Sequence, residues 1–235
     1  NAKSEFNVAV GIYTMNNALN GAVYNVAMGY GALSSTTSAD SNVAIGYLAG
    51  NSITTGGSNV LLGHGAGDAI TTKTGVIAIG LGAAGAISTT GDYTIAIGYG
   101  VMGGAEIGDG NIAIGYQSMQ NANSAGFHRN TAVGYQTMAN VGSNGPDDNV
   151  AIGYQALVAF TTAEANVAIG QNAGDAITSG NYNVLAGRNA GGSLTTGGNN
   201  VAIGDSALST MTQYNSHIAI GASAGSGFTA QYYSI

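Results

Sequence analysis

The chain has 235 residues, of which 40 are glycine and none is cysteine, and its formal net charge is −7 with only 6% charged residues. The lack of cysteine excludes disulfide bridges and thiolate metal sites. The acidic balance argues against nucleic acid as a partner, and apolar segments of about five residues are too short for insertion into a membrane.

A segment of the form Asn-Val-Ala-Ile-Gly returns thirteen times, mostly every seventeen residues. Such a period is typical of a solenoid, in which each repeat is one coil that needs stacked neighbours to bury its apolar face. We predict an all-β fold, a parallel β-solenoid or β-roll of about thirteen coils of 17–19 residues, forming one rod over residues 1–235. The closing glycines of the coils are Gly11, Gly29, Gly46, Gly63, Gly80, Gly98, Gly115, Gly134, Gly153, Gly170, Gly187, Gly204 and Gly221.

Each coil opens on a predicted strand of three residues that follows an asparagine in ten of the thirteen coils. Side-chain amides both donate and accept, so stacked asparagines predict a hydrogen-bonded ladder. Strand alternation places Val and Ile on one face, as with Val43 and Ile45, and Asn and Ala on the other. Both faces avoid charge, so we expect one to pack inside the coil and the other to meet neighbouring chains in a homotrimer. The sequence does not say which face does which.

After the closing glycine comes a second, looser segment, in which the third residue is small in most coils. Where the fourth residue is also small, as at Gly50 and Gly174, the seventh is bulky, as at Ile53 and Ile177. We expect one interior pocket per coil, filled from either position. Two intervals of nineteen residues predict bulged loops at residues 121–130 and 140–149.

Tyrosine follows the closing glycine in six coils, four of them successive. The pattern predicts a stacked tyrosine column, and its alternative is an aromatic stripe that lies against sugar rings. With the unusual side chains of the two loops it gives a candidate receptor-contact surface. Its residues are Tyr116, Phe127, His128, Arg129, Tyr135, Asp147, Asp148 and Tyr154.

Letter matches to enzyme motifs fall within the repeat. Residues 204–208 spell an esterase-like nucleophile block without the required partner before His217, and residues 80–85 match a dinucleotide-binding pattern outside any βαβ unit. The three histidines lie in distant coils, and a calcium site at Asp147 and Asp148 is a weaker alternative. We therefore expect no enzymatic activity, no catalytic residues, no cofactor and no metal site.

The coils at residues 130–138 and 149–157, Asn-Thr-Ala-Val-Gly-Tyr-Gln-Thr-Met and Asn-Val-Ala-Ile-Gly-Tyr-Gln-Ala-Leu, resemble repeats of bacteriophage tail-fibre proteins. The repeat is also similar to the head domains of trimeric autotransporter adhesins, although their coils are shorter. This resemblance implies a left-handed parallel β-roll with three chains around one axis.

From these patterns we expect a rigid trimeric tail-fibre or head-fibre segment on a virion surface, which attaches to a host by multivalent contacts. Its partners would be its own copies, other fibre or virion proteins, and a host-surface glycan or protein. A bacterial cell-surface adhesin or extracellular filament is the alternative. Recurrent Thr-Thr pairs, such as residues 54–55 and 195–196, leave ice binding as a third possibility.

Overall fold

The computed structural model describes residues 3–85, 91–104, 107–122, 126–142 and 145–227. In this part of the chain the regular structure consists of thirteen three-residue strands, and there is no helix. Hence no described segment forms an apolar helix of bilayer-spanning length. The fold is an all-β parallel solenoid, as the repeat predicts.

Contacts divide the chain into two compact units, Asn1–Gln117 and Ser118–Ile235. The first unit contains seven strands: β1 (Val8–Val10), β2 (Val26–Met28), β3 (Val43–Ile45), β4 (Val60–Leu62), β5 (Ile77–Ile79), β6 (Ile95–Ile97) and β7 (Ile112–Ile114). The second contains six: β8 (Thr131–Val133), β9 (Val150–Ile152), β10 (Val167–Ile169), β11 (Val184–Ala186), β12 (Val201–Ile203) and β13 (Ile218–Ile220). Continuity of one rod over residues 1–235 stays a prediction.

Within each unit the strands pair in parallel, in the register of the sequence motif. Ala44 of β3 lies between Ala27 of β2 and Leu61 of β4. The backbone N–H of Val43 donates to the Asn59 carbonyl at 2.8 Å, so each coil bonds to the next. Aligned repeats in the sequence are therefore neighbours in space.

The alanine face of the strands lies inside the coil. From β2 to β13 the middle residue of every strand is buried, and Ala44, Ala151 and Ala168 have no exposed surface. The flanking Val and Ile residues point outward and stay partly accessible, with Ile45 at 39% and Ile169 at 44%. The structure thus confirms the alternation and resolves which face packs inside the coil.

The interior pocket is filled from two positions, as predicted. A β-carbon at Gly174 would lie 2.7 Å from Leu185 Cδ1 and 3.0 Å from both Ile177 Cδ1 and Leu157 Cδ2. Leu157 occupies the position equivalent to Gly174 one coil earlier, so large and small residues alternate against the same interior space.

The predicted asparagine ladder is present in both units. In the second unit the Nδ2 of Asn149, Asn166, Asn183 and Asn200 donates to Oδ1 of the asparagine one coil earlier, at 2.9–3.2 Å. The same oxygen accepts the backbone N–H of the next asparagine, as from Asn166 N to Asn149 Oδ1 at 2.9 Å. These side chains are fully buried, so water cannot reach them. Each ladder bond therefore satisfies an amide group that would otherwise lack a hydrogen-bond partner.

Positive φ angles recur at fixed positions that are not reserved for glycine. Within the described ranges, every non-glycine residue with positive φ lies five residues before, two after or four after a closing glycine, as in Asp148 (60°), Gln155 (52°) and Leu157 (47°). For an L-amino acid other than glycine, a left-handed backbone conformation costs about 1–2 kcal/mol. The stacking of coils therefore holds several residues per coil in a conformation they do not prefer alone.

Candidate functional site

Tyrosines that follow closing glycines stack on one another. The rings of Tyr135 and Tyr154 have centroids 5.4 Å apart at 12°, and those of Tyr99 and Tyr116 are 5.3 Å apart at 7°. All four side chains are exposed on one side. These pairs confirm the predicted stacking.

The two loops bring Arg129 beside two carboxylates. Its Nε lies 2.7 Å from Asp148 Oδ1, and its Nη2 lies 3.0 Å from Asp148 Oδ2 and 3.1 Å from Asp147 Oδ2. The hydrogen bond from Arg129 lowers the pKa of the Asp148 carboxyl, although partial desolvation opposes it. Arg129 and Asp148 are solvent-exposed and Asp147 is half-buried. The cluster has one positive and two negative charges, and exposed ion pairs of this kind contribute little to stability.

Asp147 also has a role that belongs to the repeat. Its Oδ1 accepts the backbone N–H of His128 at 2.7 Å. The residue two before the ladder position does the same in other coils, as in the bonds from Val23 N to Asp40 Oδ1 and from Glu164 N to Asn181 Oδ1, both 2.8 Å. Asp147 therefore stabilises coil stacking whatever else it contacts.

Phe127 does not lie on the surface, contrary to its place in the predicted contact surface. It is fully buried, and its ring centroid lies 6.1 Å from that of Phe160. An aromatic ring in the interior removes a large apolar area from water, which is the physical reason for this placement. The other seven predicted residues keep accessible surface, with His128 and Asp147 only half-buried.

The exposed apolar side chains concentrate on one face. We define the outer sheet face as the residues five, three and one before, and one after, each closing glycine. Among the described residues, every large hydrophobic side chain classed as exposed lies on this face except Tyr13. Its two inner positions are apolar in all thirteen strands apart from Thr131. Arg129 and Asp148 lie at one margin, and Tyr116, Tyr135 and Tyr154 lie at the other.

The outer sheet face is large for a protein surface. In the first unit, seven strands about 4.8 Å apart span roughly 34 Å, and six residue steps at an extended rise of about 3.3 Å set an upper bound of roughly 20 Å on the width, so the area is at most on the order of 650 Å². Soluble monomers seldom expose contiguous apolar patches above a few hundred Å², and stable complexes bury about 800 Å² per partner. The face therefore has the size and composition of an interface.

A polar depression of about 260 Å³ lies in the second unit outside the outer sheet face, at positions two, five and six after the closing glycines. Gly192 forms its floor, and a β-carbon there would lie 3.5 Å from Asp175 Oδ1. The lining residues are Asp175, Asn189, Gly192, Ser193, Ser206 and Ser209. The depression offers carboxylate, amide and hydroxyl groups from three successive coils.

Asp175, and Asp68 at the equivalent position of the first unit, have pKa values raised above the usual 3.8 because burial disfavours the charged carboxylate. A raised folded-state pKa means that ionisation destabilises the fold, so stability falls as pH rises from the unfolded value through the folded one. We expect the double variant Asp68→Asn/Asp175→Asn to melt at a higher temperature than the parent at neutral pH. The difference should vanish near pH 3, where both aspartates are protonated.

Circular-dichroism melts of the two proteins across this range measure the difference directly. The lowered pKa of Asp148 and of Asp205 acts in the opposite direction, but it is common to both proteins and cancels. A difference that stays constant with pH would contradict the burial argument.

Several threonine hydroxyls of the turns donate hydrogen bonds to the backbone of the next coil. Thr54 Oγ1 donates to the Thr71 carbonyl at 3.1 Å, and Thr178 Oγ1 donates to the Thr195 carbonyl at the same distance. Hydroxyls held in this way contribute to the stacking of coils, and ice binding stays an untested alternative.

In the part of the chain that the structure describes, no group of three or more His, Asp or Glu side chains is placed to hold a metal ion. In comparisons with known proteins, no family model, no curated protein and no solved structure matches the chain.

Proposed function

We propose that the protein is a structural fibre segment, a rigid left-handed β-roll that assembles as a homotrimer on a virion and presents repeated contacts to a host surface. The resemblance of its coils to phage tail-fibre repeats supports the location on a virion, the left-handed coil and the assembly of three chains. The outer sheet face supports the assembly.

The observation that carries the proposal is the row of outward Val and Ile residues on every strand. Ile152, Ile169 and Ile203 are each about 40% exposed in the single chain. A face that met only water would let lysine, glutamate and serine replace these residues from coil to coil. A partner that repeats with the same period can cover the whole face, and the simplest such partner is another copy of the chain.

Host attachment in this proposal is multivalent. If the outer sheet faces turn toward a common axis, the polar depression outside that face is presented in three copies. Asn189 and Ser193 there suit the hydroxyl groups of a saccharide, since amides and hydroxyls both donate and accept. Weak single contacts repeated on one rigid body gain avidity without strong individual affinity.

Light scattering on the purified chain tests the assembly. We expect a mass of three times 23.1 kDa, about 69 kDa, that persists on dilution. The apolar area on each chain is the reason to expect slow dissociation. A folded monomer of 23.1 kDa would remove the proposal.

Binding to immobilised bacterial lipopolysaccharides and capsular polysaccharides tests the attachment. We expect the trimer to be retained by at least one of them, and Asn189→Ala/Ser193→Ala to weaken that retention while the mass stays trimeric. The margin variant Tyr135→Ala/Tyr154→Ala is the comparison, because it alters the predicted tyrosine surface instead. If only the margin variant loses retention, the tyrosines and not the polar depression contact the receptor. If no polysaccharide retains the trimer, the proposal of a glycan receptor is wrong.

A further inference from the structure

The outer sheet face has two margins with different chemistry. One consists of the residues five before each closing glycine, and the other of the residues one after it. In a single coil these two positions are six residues apart in sequence, with the three-residue strand between them.

Rotational symmetry decides which margins meet. If copies surround an axis parallel to the stacking direction, each coil stays at its own level, and the first margin of one copy meets the second margin of the next. This holds for two, three or more copies. A two-fold axis along the strands would instead bring like margins together and reverse the order of the coils.

The residues of the second unit match at equal levels. The coil that closes at Gly134 has Arg129 at the first margin and Tyr135 at the second, and the coil that closes at Gly187 has Tyr182 and Arg188. A guanidinium over a tyrosine ring is a favourable pair, strengthened when water is excluded. The arginine–tyrosine match therefore occurs at two levels, with the arginine at the first margin in one coil and at the second margin in the other.

The carboxylates of this unit match equally well. At the level of Gly153, Asp148 would meet the hydroxyl of Tyr154, and at the level of Gly204, Asn199 would meet Asp205. Both pairs join a carboxylate to a neutral donor. No level of the second unit places two like charges together, so the arrangement carries no repulsive pair.

The arginines can stack because their hydrogen bonds use only the edge of the guanidinium. Arg188 Nε lies 2.7 Å from Asp205 Oδ1 and its Nη2 lies 2.9 Å from Asp205 Oδ2, a bidentate bond in the plane of the group. Its side chain is 61% exposed, and Tyr182 is 59% exposed. The planar face of Arg188, held in place by Asp205, is thus presented to a ring.

In the first unit the residues at the two margins match in size and not in charge. Tyr24 and Tyr30 share one level and Tyr93 and Tyr99 another, which gives ring against ring. At two other levels a glycine faces a large side chain: Gly75 with Leu81, and Gly110 with Tyr116. At these four levels a large residue at one margin thus meets either a ring or a glycine at the other.

We propose that copies of this chain associate in parallel with their coils in register, margin to margin, with Arg129 on Tyr135 of a second copy and Tyr182 on Arg188 of a second copy. This inference rests on the proposed self-assembly and adds its register and contacts.

Cysteine pairs test the register, because the natural chain has no cysteine. The matched variant is Tyr182→Cys/Arg188→Cys. The control is Tyr182→Cys/Ala222→Cys, whose second site lies at the same margin two coils further along, offset by about 10 Å. With a short bismaleimide we expect the matched variant to give covalent oligomers several-fold faster than the control.

Light scattering of the same samples separates the possible failures. If the control cross-links as fast as the matched variant, or neither cross-links while the oligomer persists, the register is wrong and the self-assembly stands. If the variants and the parent chain are all monomers, the self-assembly itself is removed.

A second measurement addresses the ring contact. Tyr182→Phe keeps the ring face and should leave dissociation on dilution unchanged, whereas Tyr182→Leu should dissociate at several-fold higher concentration. Equal behaviour of the two variants would overturn the pairing of Tyr182 with Arg188.

Discussion

Replacing Gly153 with alanine should destroy the native stack of the second unit. Gly153 has φ of +135°, and a β-carbon there would lie 2.5 Å from the Gly170 oxygen and 2.7 Å from its carbonyl carbon. The dihedral alone costs about 1–3 kcal/mol. The clash is with backbone, so it can be relieved only by moving coils apart, which breaks bonds such as that from Gly170 N to Ile152 O at 2.8 Å.

Gly221→Ala is the matched control, because Gly221 has a similar φ of +126° while, among the described residues, its β-carbon would meet only Ala224 Cβ, at 4.0 Å. Chemical denaturation followed by circular dichroism should show a small loss for Gly221→Ala and loss of the folded baseline for Gly153→Ala. Similar losses in both variants would assign the effect to the dihedral and not to the approach of neighbouring coils.

Ala44→Lys should prevent folding of the first unit, whereas Ile45→Lys should leave the coil intact and disrupt assembly. Ala44 is fully buried between Ala27 and Leu61, and burying an ammonium without a partner costs several kcal/mol. Ile45, the next residue, points outward and is 39% exposed, so its lysine reaches water in a single chain. In the assembly the same lysine would be trapped against apolar side chains.

Two readouts separate these effects. Circular dichroism should show strand signal for Ile45→Lys and its loss for Ala44→Lys, while light scattering should show a reduced mass for Ile45→Lys. A trimer of undiminished stability with lysine at position 45 would exclude the outer sheet face as the interface.

The repeat made the strands predictable because one motif specifies each coil. Asn149 and Asn166, seventeen residues apart, could be assigned to a ladder from their spacing and from the chemistry of amides. The exchange between Leu157 and Gly174 could be inferred from volume alone, since the interior is close-packed. The stacked rings of Tyr135 and Tyr154 followed from their identical places in adjacent coils.

Other features required the structure. Alternation puts Ala44 and Ile45 on opposite faces, but both faces avoid charge, so hydrophobicity alone does not say which is inside. Left-handed angles at Gln155 and Leu157 have no signal in residue type, because stacking overrides local preference. The extra loop predicts an exposed Phe127, yet the apolar area of its ring decides its position more than loop length does.

The bonding pattern of the second unit makes its length adjustable. Each ladder asparagine bonds to the coil before it and the coil after it, and the alanine of each strand lies beside its counterparts one coil away. Interactions of this nearest-neighbour kind are the same in a short stack and a long one. Addition or deletion of one whole coil therefore changes the length of such a stack by about 4.8 Å and leaves its cross-section the same. The length of such a stack can thus change during evolution through the number of coils, while the contacts between neighbouring coils stay the same.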